Sequence, residues 1–409
     1  MSDARSPSEF RYFDQVDAPL PRRIRSACRA LFGVDAALPE ETIRTFASMY
    51  YDADPLAEAF VDECYLGLGR DEGRRLLEQA LEGGLDTIED PPASLRALFA
   101  DIERDPDWVD WAKVDHGGRV FRRWGTSVFR FAGAITLAAY KESSVAKPLA
   151  LTGAYAGAST KRRFLETAAF WIAVSEPGGL RHGGAGRASA LRVRVMHVFV
   201  RQRLKDHPEW DLDAWGVPIS QADALLTLMG GSVAPGLGLM AMGYRPSRED
   251  IEATMHFWRY VGHLMGVRPR FYPATITEAL QLAFVTFVKG AGTAGADGRQ
   301  LCQSFLDAFR PEEDASLRDR LEDGLHRGMI RFFLPAPLYE EFELPPVGPW
   351  TLAPLVAFPF VFGAETLRRR VPRLDEVADR VARAERRRWL AHHLGDRPAE
   401  YRAVDRFTR

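Results

Sequence analysis

Residues 190–204 read ALRVRVMHVFVRQRL, four arginines and one histidine inside an otherwise apolar run. Read as a strand, one face carries Arg192, Arg194, Met196, Val198 and Val200. The other carries Val193, Val195, His197, Phe199 and Arg201, so both faces mix charge with apolar groups. Helical spacing sorts the run better. Ala190, Val193, Arg194, Val200, Arg201 and Leu204 then share the face of His197, with Arg194 three residues before it and Arg201 four after. Two like charges flanking a histidine depress its pKa and keep it neutral, the form that binds a metal. Buried arginines in turn require anions.

An iron porphyrin supplies both needs, an axial position on the metal and two propionates beside it. His197 is therefore a candidate iron ligand, with Arg194 and Arg201 as candidate propionate partners. The competing reading is a core histidine whose arginines pair with some of the 56 acidic residues. Spacing alone does not choose between the two. Arg192 and Arg203 fall off this face and have no role in either reading.

The elements that must position this face are helical. PEETIRTFASMYYDADPLAEAFVDECYLGL reads as two helices broken near Pro55. DEGRRLLEQALEGGL and PPASLRALFADIERDP read as short amphipathic helices, and VFRRWGTSVFRFAGAITLAAYKES as one long central helix. STKRRFLETAAFWIAVSEPGG has a serine or threonine cap and ends at Pro177-Gly178-Gly179. Helical spacing also runs through SQADALLTLMGG, TITEALQLAFVTFV, ASLRDRLEDGLHRGMIRFFL and RLDEVADRVARAERRRWLAHHL. SREDIEAT carries a capping-box pattern at Ser247 and Asp250. Alternating strands are scarce. The expected fold is all-α, one compact helical domain over residues 1–409.

Composition narrows the function classes. Of 409 residues, 46% are apolar and 27% charged, and Lys plus Arg (54) nearly balances Asp plus Glu (56), which gives no footing to a nucleic-acid binder. Nine Trp and 25 Phe suit a large core or an apolar ligand cavity. Cys28, Cys64 and Cys302 are scattered, which argues against a disulfide framework, a thiolate zinc site or an iron–sulfur cluster. KGAGTAGADG lacks the Lys-Ser/Thr of a P-loop, and no GxSxG, HExxH or Rossmann fingerprint occurs. The opening MSDARSPSEFRYFDQ has no apolar signal core. WTLAPLVAFPFVFGAETL is interrupted by Pro354 and Pro359 and reads as short for a membrane span. These features suggest a cytoplasmic protein with no transmembrane segment, one able to touch membranes to collect an apolar substrate.

Several stretches, in order and spacing, resemble the MpaB-type oxygenases, the family that includes the rubber oxygenases. They are RRFLET (162–167), PGGL with the following glycines and ALRVRVMHVFVR (177–201), WGVPISQADALLTLMG (215–230) and HFWRYVGHLMGV (256–267). The resemblance spans roughly residues 110–330. It implies an all-α, globin-like core holding haem b, with His197 as axial ligand in an R..H...R helix. It implies that Arg163 and Thr167, one helical turn apart, line the distal side, and that Arg327 helps Arg194 and Arg201 neutralise a propionate. Dioxygen and a hydrophobic small-molecule substrate are the implied partners. The family's distal glutamate and lysine fall at Lys147 and Glu166, with both charges reversed. That departure speaks against rubber cleavage and leaves the haem untouched.

Other histidines read as structural. His256 and His263, two turns apart, lack a carboxylate to complete a metal site, and His182, His392 and His393 read as exposed. The sequence thus points to a haem-b oxygenase. The rivals are a haem sensor or redox protein without oxygenase activity, and a haem-free helical protein that binds lipids or partners.

Overall fold

The computed structural model describes residues 5–153, 159–371, 373–395 and 401. Among them every regular element is helical. Buried apolar side chains join in one cluster from Phe10 to Trp389. Its aromatic centre is Phe121, Trp124, Trp171, Phe257 and Trp258, with ring centroids 5.3–6.1 Å apart around Phe121.

The run 190–204 lies in helix Ala185–Leu204, so helical spacing was the right reading. Its antiparallel neighbour is Ser159–Ser175, joined to it by the turn 176–184. Glycine at the start of the second helix allows the close approach. A Cβ on Gly186 would lie 2.5 Å from the Ala173 carbonyl oxygen. A Cβ on Gly117 would likewise collide with the Ala253 carbonyl, where helices Trp111–Arg123 and Arg248–Leu264 cross. Only glycine allows backbones this near each other.

The capping box at Ser247 and Asp250 forms, and a second one, Thr275 with Glu278, opens Ile276–Lys289. Asp54 caps Pro55–Phe60, placing the break at Pro55 as the sequence indicated. The long helix expected around residues 120–142 is instead two, Trp111–Arg123 and Ser127–Ala139. Gly125 between them sits at φ +57°, and a Cβ there would touch Glu385 Oε2 at 2.5 Å. A left-handed residue ends a helix whatever the hydrophobic pattern around it.

Neither Pro354 nor Pro359 breaks the late apolar stretch. A 3₁₀ turn (Gly348–Leu352) runs straight into helix Ala353–Arg370. The run of 23 residues is long and apolar enough to cross a membrane, by length and composition, and so is residues 221–242, which is about half buried. The argument from shortness therefore fails for the stretch 350–367.

Candidate active site around His197

His197 lies midway along its helix. Burial, and secondarily the charge of Arg201, pull its pKa down to about 4, so the imidazole is neutral at pH 7. It forms no hydrogen bond with any described residue, and part of its surface stays accessible. The ring is thus enclosed by side chains without being packed hard against them.

The flanking arginines behave differently from the expectation. Arg194 is 1% exposed. Its Nε and Nη2 donate to the two carboxylate oxygens of Asp54 at 2.7 and 2.9 Å, and Nη1 donates to Asp101 at 2.7 Å. Arg268 joins the cluster through Asp101 at 2.9 Å. Gly266 closes over it at φ +77°, where a Cβ would lie 2.6 Å from Arg194 Nε and closer still to Asp54. Arg194 therefore ties the histidine helix to Asp54, at the cap of Pro55–Phe60, and to Asp101 on Ala93–Glu103. Of the two flanking arginines, only Arg201 adds to the lowering of the His197 pKa.

Arg201 donates from Nε to the Pro218 carbonyl at 2.9 Å and from Nη2 to the Ile219 carbonyl at 2.6 Å. Its Nη1 reaches Glu58 at 3.3 Å. Ile219 sits at φ +54°, a costly conformation for a β-branched residue. Arg201 clamps that strained segment, which is the WGVPI stretch. The three other arginines of the helix also have partners, and Arg187, itself buried, donates from Nη1 to the Tyr260 hydroxyl at 2.8 Å and the Leu180 carbonyl at 3.2 Å. Arg192 donates to Glu78 at 2.6–3.0 Å, and Arg203 lies over the Phe199 ring at 5.6 Å.

Arg163 and Thr167 lie on the neighbouring antiparallel helix. Arg163 is ten residues before Ala173 and Met196 ten after Gly186, so equal rise from the Gly186–Ala173 contact sets Arg163 level with Met196 and His197. Arg163 Nη1 donates to Glu166 at 3.0 Å, and the Thr167 hydroxyl donates to the Arg163 carbonyl at 3.1 Å. Glu166, itself buried, also accepts from Arg162 Nε at 3.3 Å. Lys147 bonds Asp297 at 2.9 Å and Glu209 at 3.1 Å. Burial opposes its charge, but those two carboxylates outweigh it and raise the pKa.

Arg327 belongs to a different part of the fold. Its helix, Leu317–Phe333, packs chiefly on Ser127–Ala139 and on the turn before Ala353. Its guanidinium is held by Asp323 at 2.8 Å and Asp307 at 2.6 Å. Arg194, Arg201 and Arg327 are thus three separate ion-pair centres, not one anion cradle.

The other histidines take structural places. His256 accepts from the Asp110 backbone N–H at 3.0 Å. His263 stacks on Tyr260 at 14° and 6.0 Å, and burial pulls its pKa to about 3. His182 is exposed. His392 is exposed and bonds Asp319 at 2.9 Å, whereas His393 is half-buried against Phe309 and Trp389 rather than exposed. A cleft of about 460 Å³ lies elsewhere, lined by Asp115, Arg119, Arg122, Arg181 and Glu376 among others, with none of the predicted site residues. Its lining mixes these charges with Trp111, Val114, Leu180 and Phe257.

Sequence reasoning missed Asp54, Asp101 and Gly266. The break near Pro55 placed a helix boundary beside Asp54 and gave no hint of that residue's tie to Arg194. For Asp101 and Gly266 no local signal exists.

The family described as ER-bound oxygenase mpaB/B'/Rubber oxygenase, catalytic domain, matches residues 118–369. A curated relative, the rubber oxygenase of Streptomyces sp. (strain K30), is 29% identical over 203 residues, 48% of this chain. The match spans about half the relative's length, 47%. A solved structure of latex clearing protein LCP in the closed state superposes with a TM-score of 0.59 at 21% identity, covering 83% of this chain and 91% of the other. At that identity it speaks for the all-helical fold.

Proposed function

The chain belongs to the family of mpaB/B' and rubber oxygenase catalytic domains, and from that premise we propose that it is a haem-b oxygenase acting with dioxygen on a hydrophobic small or medium-sized organic molecule. The observation that carries this reading is His197, a deep, neutral imidazole with no hydrogen-bond partner among the described residues. A neutral imidazole with no side-chain partner among the described residues and part of its ring accessible is in the form that can ligate a metal, and it lies within the stretch the family model matches. Bound there, haem would supply an iron with an open position for dioxygen.

The chain's own residues fit the iron end better than the propionate end. His197 would hold the metal. Arg201 stays within electrostatic reach of the imidazole and helps to keep it unprotonated. Arg163 is level with His197 on the adjacent helix and offers guanidinium N–H groups whose orientation is set by Glu166. Thr167, anchored on the Arg163 carbonyl, holds the turn between them in one rotamer. Arg194 stays a structural tie.

Neither position reversed relative to the rubber oxygenase pattern offers a free base. Lys147 is engaged by Asp297 and Glu209, and Glu166 by Arg162 and Arg163. A substrate whose oxidation needs no carboxylate base at position 147 is the consistent choice.

The test is a visible spectrum of the purified chain titrated with haemin, beside His197→Ala. A Soret band in the wild type that shifts or vanishes in the variant supports the assignment. Equal haem content and identical spectra would remove His197 from the site. Arg163→Ala should retain haem and lose oxygen consumption, while unchanged consumption would remove Arg163 from the distal side.

A further inference from the structure

The helix Ala353–Arg370 is built inside out. On the side turned toward the protein, Pro354 and Glu365 are buried and Ala357 and Val361 partly covered. Leu352, Leu355, Val356, Phe358, Phe360, Phe362, Leu367 and Val371 are all exposed, Phe360 at 75% and Val356 at 66%. Scattered exposed apolar residues are ordinary, but eight along twenty positions of one surface helix are not. Next to it, Met240 adds a further exposed apolar side chain from the segment packed on this helix.

The inner face is tied down. Glu365 accepts from Arg368 Nε at 3.0 Å and pairs with Arg123 at 3.7 Å. Arg245 donates to Thr366 at 2.8 Å and lies over the Phe362 ring at 4.7 Å. Gly243 meets the helix backbone itself, where a Cβ would lie 2.5 Å from the Phe358 carbonyl oxygen. A helix held in this way cannot leave the body to cross a bilayer, although its length would suffice. It can lie in the plane of one.

The charge at its end says what covers it. Between residues 369 and 381 the exposed charged side chains are Arg369, Arg370, Arg373 and Arg380 against Glu376. Val371, Val377 and Val381 are exposed among them. An apolar face with an arginine rim matches the acyl boundary and the phosphates of an anionic leaflet. A second copy of the same surface could cover the apolar residues, but its own exposed charges here are again four arginines to one glutamate and leave this rim short of anions.

We propose that the outer face of Ala353–Arg370, with the arginines that follow it, docks the protein in-plane on anionic lipid bilayers. The docking stands independently of haem. The test is flotation of the full chain with phosphatidylcholine vesicles, with and without phosphatidylglycerol. Binding is expected with the anionic vesicles. It should fall by about a hundredfold or more in R369E/R370E/R373E, which reverses three charges worth about 1 kcal/mol each, and be abolished in L355S/V356S/F360S. Phe360→Trp gives a second reading that needs no loss of binding: brominated acyl chains should quench its added fluorescence. Failure of the wild type to float, equal flotation of L355S/V356S/F360S, or no added quenching would overturn the proposal. So would a stable wild-type dimer that the serine variant converts to monomers without any vesicle binding.

Discussion

Two helices of this molecule break the rule of apolar inside and charged outside, in opposite directions. Ala185–Leu204 carries arginines into the core, with Arg194 and Arg201 both buried. Ala353–Arg370 turns phenylalanines to the surface and keeps a glutamate within. The difference lies in where the partners are. Each buried arginine meets a partner inside the chain: Asp54 and Asp101 for Arg194, the carbonyls of Pro218 and Ile219 for Arg201. No described part of the chain covers the outer face of the apolar helix. Composition tells what a helix needs, and only the fold tells whether the need is met from within or from outside.

Removing a partner from the charged helix should have the largest effect. Arg194→Met leaves the Asp54 and Asp101 carboxylates facing a core with Arg268 as the remaining cation. Breaking a buried pair from one side costs about 3–5 kcal/mol, and urea unfolding should read that loss. A cost below about 1 kcal/mol would mean that the cluster is not what ties the helix in place. Next in size is Gly266→Ala. It strains a left-handed position and pushes a methyl against Asp54 and Arg194 Nε. About 1–3 kcal/mol of destabilisation is expected by the same measurement.

How much of this was legible beforehand follows the same division. Helical period and caps gave the elements, because both are local: Ser247 with Asp250 is read from four residues. The break at Gly125 was not legible, since its φ of +57° and the approach of Glu385 depend on a helix 260 residues on. At the site, the neutrality of His197 was anticipated, though burial contributes more than the arginine charge, and of the two arginines only Arg201 contributes. The propionate roles expected of Arg194, Arg201 and Arg327 find each guanidinium on protein partners, Asp54 and Asp101, the Pro218 and Ile219 carbonyls, and Asp307 and Asp323. A guanidinium is equally satisfied by a carboxylate, a carbonyl or a propionate, so its type and spacing do not name its partner.

The histidine gives a third, smaller effect, and its sign can be fixed. His197 titrates near 4 in the folded chain and near the ordinary 6.5 when unfolded. Between those values the unfolded state binds the extra proton, so stability declines as pH falls from about 6.5 toward 4. His197→Phe should make that limb shallower by about one proton in urea titrations of the haem-free chain. His263, whose pKa is also lowered, to about 3, contributes in the same direction and is unaffected by the substitution. An unchanged slope would place the His197 ring in contact with bulk water.

The smallest expected effect tests the other half of the comparison. In L355S/V356S/F360S the side chains removed are half or more exposed, so little burial is lost on folding and unfolding stability without lipid should move by only about 0.5 kcal/mol per position. Helix propensity falls slightly at each position, which makes a small loss the expected sign. The same number of apolar-to-serine changes at Val193, Val195 and Val198, buried on the histidine helix, would remove the anchoring of that helix and unfold the chain. A loss of several kcal/mol in the surface triple would show that those residues are covered in the isolated protein, and the contrast between the two helices would then reduce to one of charge alone.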